Sequence, residues 1–136
     1  MQKRSDLVLL LARILLGVIF LLSGYGKLTH LDGFAASLAS RGVPMTGVLA
    51  PLGAVVEFFG GLAVILGVEV CWASALMILF VIVATLISHR FWEFQGAPRQ
   101  AQNTQFMKNL AIIGGFLALM AAGGGRIALE RIWRRA

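Results

Sequence analysis

The sequence predicts an all-α integral membrane protein, a four-helix bundle with both termini on the same side. Three observations carry this. Hydrophobic residues fill 59% of the 136 positions and charged residues only 13%, whereas a soluble domain carries roughly 45–50% and about 25%. The apolar residues gather into four segments, at about 7–27, 48–68, 70–89 and 107–125, each close to the ~20 residues a spanning helix needs. Three of these segments carry a face of small or polar residues, the mark of helices that pack together in lipid. A chain of this length holds one domain, so residues 1–136 are expected to form a single transmembrane unit. The composition excludes a disordered chain and a disulfide scaffold, since Cys71 is the lone cysteine.

The first segment follows a short basic start at Lys3 and Arg4. It exceeds the ~7–15 apolar residues of a secretory leader, and Arg13 interrupts it. No small-x-small cleavage site follows, so it is expected to remain as a helix. At 100° per residue, Arg13, Gly17, Phe20, Gly24 and Lys27 share one direction. The second segment aligns Ala50, Gly53, Ala54, Glu57, Gly60, Gly61 and Val64 in the same way. Glu69 stands in a very tight turn before the third segment. The third segment is mixed. Its expected face is Cys71, Ala75, Ile78, Ile82, Thr85 and His89, with Cys71 read as a small buried residue. The fourth aligns Lys108, Gly115, Leu119 and Ala122, with Ala111 and Ala118 beside them. Gly123, Gly124 and Gly125 mark a helix end or kink.

Four spans put the connections around Leu28–Gly47 and Arg90–Gln105 opposite the termini. Lys3, Arg4, Arg126, Arg131, Arg134 and Arg135 lie on the terminal side. Lys27, Arg41, Arg90, Arg99 and Lys108 lie on the other. The excess is one residue, a slight bias toward cytoplasmic termini. Trp72, Phe91, Trp92, Phe94 and Trp133 fall near the interfaces, as an aromatic belt requires. The net charge is +6. These basic groups flank apolar segments, where they meet lipid headgroups, so the lipid bilayer and not nucleic acid is the expected partner.

Ionisable groups inside a membrane are costly, and they point to function by default. Glu57 lies near the middle of the second segment and Arg13 inside the first. Facing inward, they are expected to form a buried ion pair, serving as a register device or a proton relay. A second cluster gathers at the opposite mouth: Lys27 and His30 end the first helix, His89 and Arg90 the third, and Lys108 and Asn109 start the fourth. Snorkelling explains Lys27, Arg90 and Lys108 as headgroup contacts. It explains His89 less well, because His89 shares a face with Thr85. A ring of donors there would suit an anion or a quinone, with its carbonyls on His or Lys and its tail in lipid. No metal-spaced Cys/His cluster, Ser/His/Asp set or phosphate loop occurs, so no metal and no catalytic residue is assigned.

The segments ArgIleLeuLeuGly (Arg13–Gly17), Phe20 and GlyTyrGlyLysLeu (Gly24–Leu28) resemble the first-helix signature of the DoxX family. GluPhePheGlyGlyLeuAlaValIleLeuGly (Glu57–Gly67) is similar to its second. HisArgPheTrp (His89–Trp92) and PheMetLysAsnLeuAlaIleIleGlyGly (Phe106–Gly115) resemble its third and fourth. The resemblance covers nearly the whole chain in order. It implies a bacterial inner-membrane protein of four helices. It also implies an accessory or quinone-facing subunit of a redox complex, linked to sulfur-compound oxidation or to oxidative-stress defence. The protein partner would be that complex, with self-association as an alternative assembly. The contrasting expectation is a non-enzymatic scaffold or a small-molecule transporter.

Overall fold

The computed structural model describes residues 2–133, with side chains from Ser5 onward. Its elements are α1 (Gln2–Thr29), α2 (Leu31–Ser40), α3 (Thr46–Leu66), α4 (Val70–Ser88), a 3₁₀ turn (Phe91–Glu93), α5 (Gly96–Ala122) and α6 (Glu130–Trp133). Four of these are long and apolar enough to cross a membrane: α1, α3, α4 and α5. No strand occurs among the described residues. The fold class expected from the sequence is therefore found. Lys3 and Arg4 lie within α1 but before the described side chains, and Arg134 and Arg135 lie outside the described residues.

Glycine sets how α1 and α3 pack. A Cβ on Gly24 would lie 2.6 Å from the Phe58 amide nitrogen. One on Gly17 would lie 2.7 Å from the Gly61 carbonyl oxygen, and one on Gly61 would lie 2.8 Å from the Gly17 carbonyl oxygen. The two backbones therefore touch directly, as small residues permit in lipid. The predicted faces of these helices are the packed ones. Arg13, Gly17, Phe20 and Gly24 are buried on α1, and Ala50, Ala54, Glu57, Gly60, Gly61 and Val64 on α3. The core joins Phe20, Val64, Val70, Ala73, Met77, Val81, Phe116 and Leu119. Phe20 sits 5.7 Å from the Phe116 ring.

On α4 the buried face is Val70, Ala73, Ser74, Met77, Val81 and Thr85. The face expected from sequence overlaps it only at Thr85. Cys71 is exposed and Ile82 is 40% exposed. The segment is apolar all round, so hydropathy cannot tell a lipid-facing side chain from a packed one. Ala111, Ala118 and Ala122 likewise point outward on α5, which buries Phe116 and Leu119.

Two helices run beyond expectation. The connection after α1 folds as α2, with Leu31, Phe34 and Leu38 at helical spacing turned inward. α5 begins at Gly96, well before its apolar stretch. Its polar opening is rich in Gln, Ala and Arg, all good helix formers. α5 ends at Ala122, where Gly123 takes φ +74, so the glycine run is an end rather than a kink.

The segment after α5 closes the terminal end of the bundle. Leu129 and Glu130 donate backbone hydrogen bonds to the carbonyls of Leu66 and Gly67. The Arg126 amide donates to Asp6 Oδ1 at 2.8 Å. Glu130 Oε2 accepts the Val70 amide at 2.9 Å, satisfying one of the orphan donors at the start of α4. Glu130→Ala is expected to cost about 0.5–2 kcal/mol, the value of an N-cap. Glu130→Gln, which keeps an acceptor, should cost less. Thermal denaturation in detergent separates the two.

Candidate functional site

The buried charges are paired differently from the sequence expectation. Arg13 does not meet Glu57. The glycine contacts bring Gly24 level with Phe58, so Glu57 faces the far end of α1. Lys27, about 21 Å beyond Arg13 along α1, takes its place. Lys27 Nζ donates to Glu57 Oε2 at 2.5 Å, and the Glu57 side chain is only 5% exposed. Arg13 lies instead beside Gly67 at the terminal end. There its Nη2 donates to the Ile127 carbonyl at 2.8 Å. It acts as a clasp between α1 and the closing segment.

At the other end, four residues of the second predicted cluster converge, and Glu57 joins them. Lys27, Glu57, His89, Lys108 and Asn109 all line one cavity of about 210 Å³. Phe20, Val81 and Ile112 give it an apolar lining, while Ser23 and Ser88 add hydroxyls. Four helices supply the polar groups: α1 gives Lys27, α3 Glu57, α5 Lys108 and Asn109, and His89 caps the end of α4.

Each polar group is held by a neighbour. His89 Nδ1 is 2.9 Å from Gln102 Oε1. With Nδ1 as the donor to that carbonyl oxygen, a neutral imidazole keeps Nε2 as an acceptor. Asn109 Nδ2 donates to Thr85 Oγ1 at 2.8 Å, and Thr85 donates to the Val81 carbonyl at 2.6 Å. That leaves the Asn109 carbonyl oxygen as an additional acceptor. Lys108 Nζ donates to Gln105 Oε1 at 2.5 Å. Lys27 also stands over the rings of Phe34 and Phe80, at 4.9 and 5.9 Å. These rings offer their negative faces to the ammonium.

His30 is not part of this arrangement. It precedes α2, is exposed, and lies 3.0 Å from Thr29 Oγ1 and 3.3 Å from the Gly26 carbonyl. Arg90 pairs with Glu93 at 3.2 Å, outside the cavity. Gln102 was not foreseen, because the start of α5 read as a connection. Its spacing of about two turns before Asn109 is the signal that would have placed it on the same helix face. Phe91 and Trp92 sit edge-on to each other and to Phe106 at this end.

Fold and site together define a small four-span membrane protein with a polar cavity among its helices. The DoxX family pattern matches residues 8–90, more than half of the chain. Two curated relatives from Escherichia coli K12 match almost end to end. Inner membrane protein YqjF is 33% identical over 97% of this chain and 96% of its own length. Inner membrane protein YphA is 32% identical over 91% of this chain and 89% of its own. The chain belongs to the DoxX family. No solved structure matches it.

Proposed function

We propose that this protein is a quinone-facing, accessory subunit of a redox complex in the bacterial inner membrane, with its termini in the cytoplasm. The observation that carries this is the convergence of Lys27, Glu57, His89, Lys108 and Asn109 on one cavity. Sites that bind small molecules combine an apolar wall with a few convergent polar groups. A quinone head demands that combination. Its carbonyl oxygens accept from Lys27 or Lys108, and in the reduced form its hydroxyls donate to His89 Nε2 or to the Asn109 carbonyl oxygen. The Lys27–Glu57 pair supplies a carboxylate beside the ring, where a proton can be held. In this reading a partner protein supplies the electrons. Support for the inner-membrane setting is that both relatives are inner membrane proteins. The link to sulfur-compound oxidation or oxidative-stress defence rests on the family resemblance alone.

The test is lipid extraction of the protein purified in mild detergent. Quinone is expected in the wild-type extract, and His89→Ala should lower it about tenfold with membrane abundance unchanged. Absence of quinone from the wild type, or equal quinone in both, would overturn the reading. Affinity capture with mass spectrometry then identifies the redox partner. Capture of no oxidoreductase would favour the transporter alternative.

A further inference from the structure

A second cavity lies directly beside the first. It has a volume of about 370 Å³ and runs between α3 and α4 under α2. Its lining is apolar apart from Lys27 and Ser88. The cause is a divergence of the two helices. At Gly60 they touch, since a Cβ there would collide with the Met77 sulfur. Two turns away, a Cβ on Gly53 would find only the Phe34 ring, at 3.9 Å. Leu49 and Leu52 of α3 and Leu76 and Leu79 of α4 line the gap and remain 40–59% exposed. Phe34 and Leu38 of α2 also line it.

The two cavities share a wall. Lys27, Phe80, Ala84 and Ser88 line both. On one side of this wall lie the carboxylate, imidazole and amide. On the other lies a slot of leucine, valine and isoleucine side chains open toward lipid. We infer that the slot receives the aliphatic tail of the molecule whose polar head occupies the first cavity, and that this ligand enters sideways from the bilayer between α3 and α4. The inference rests on the quinone reading and adds the tail site, the direction of access and the residue that controls it. Four shared lining residues place the slot against the head cavity, and that adjacency selects this occupant over a free lipid chain. The Lys27 ammonium, placed over Phe34 and Phe80 and bonded to Glu57, marks the point where head and tail meet.

Gly53 gives the test. A Cβ there meets no backbone within 4 Å, and replacing a helical glycine favours the helix. Gly53→Phe should therefore fold while filling the slot. The probes are a benzoquinone bearing only methyl and methoxy groups and the same ring with a ten-carbon tail. Binding of each is measured to protein in nanodiscs. Gly53→Phe is expected to weaken the tailed quinone about tenfold and to leave the tail-less one unchanged. Equal binding of the tailed quinone to wild type and variant overturns the tail site and leaves the quinone reading standing. Equal loss of both probes also overturns the tail site, because the slot would then not be distinct from the head cavity. Failure of both probes to bind the wild type overturns the quinone reading and the tail site together. A diazirine on the tail adds a second measurement: labelling should map to Leu52 or Leu79, and labelling confined to the outer face of α1 would overturn the inference.

Discussion

Replacing Lys27 with methionine should destabilise the protein by about 3–5 kcal/mol, the cost of breaking a buried ion pair from one side. The Glu57 side chain, 5% exposed, would be left without its cation. Lys27→Met combined with Glu57→Met should recover most of the loss, because neither charge then needs a partner. The coupling between the two sites is read from a double-mutant cycle by denaturant unfolding in detergent. Arg13→Met and Glu57→Met should instead add to within about 0.5 kcal/mol, as separated sites do. Strong coupling of Glu57 to Arg13, with none to Lys27, would contradict the pairing described above. The doubly substituted protein also separates structure from chemistry. Restored stability with lost quinone would give the pair a part in ligand handling, while retention of both would make it a register device.

Gly24→Leu is expected to prevent assembly of the bundle. Its Cβ would lie 2.6 Å from the Phe58 amide nitrogen and 2.7 Å from the Phe58 Cα. Those are backbone atoms of α3 and cannot turn aside as a side chain can. Overpacking a core typically costs about 1–3 kcal/mol, and a clash with a neighbouring helix backbone belongs at or above the top of that range. Gly26→Leu and Gly114→Leu are the controls, since a Cβ at either meets nothing within 4 Å. Both should leave membrane abundance and melting temperature within the range of the wild type. A stable Gly24→Leu protein would show that α1 and α3 do not touch through this face.

The features legible from sequence were those where residue types contrast. On α1, Arg13, two glycines and Lys27 stand out against leucine and isoleucine, and their face is the packed one. On α4, Met77 and Val81 differ little in hydropathy from Leu76 and Val83, so the sequence does not mark which side is buried. The Arg13–Glu57 pairing failed for another reason. Both residues were correctly turned inward, but the offset between α1 and α3 is fixed by Gly24 meeting Phe58, a contact that composition does not encode. The mouth cluster was legible because Lys27, His89, Lys108 and Asn109 all fall at helix ends on one side of the membrane. Gln102 was not, because a polar helix outside the bilayer looks like a loop to a hydropathy scan. α2 carried a readable pattern in Leu31, Phe34 and Leu38, but one too short to suggest a span.

The turn between α3 and α4 has a mechanical consequence. Gly67 and Glu69 both take positive φ, and the closing segment bonds to Leu66 and Gly67. The α3–α4 pair is thus pinned at the end where Leu66 and Gly67 accept bonds from the closing segment, and its two helices diverge toward the end that α2 covers. The gap between them opens away from this turn, so its width depends on how the two helices leave it.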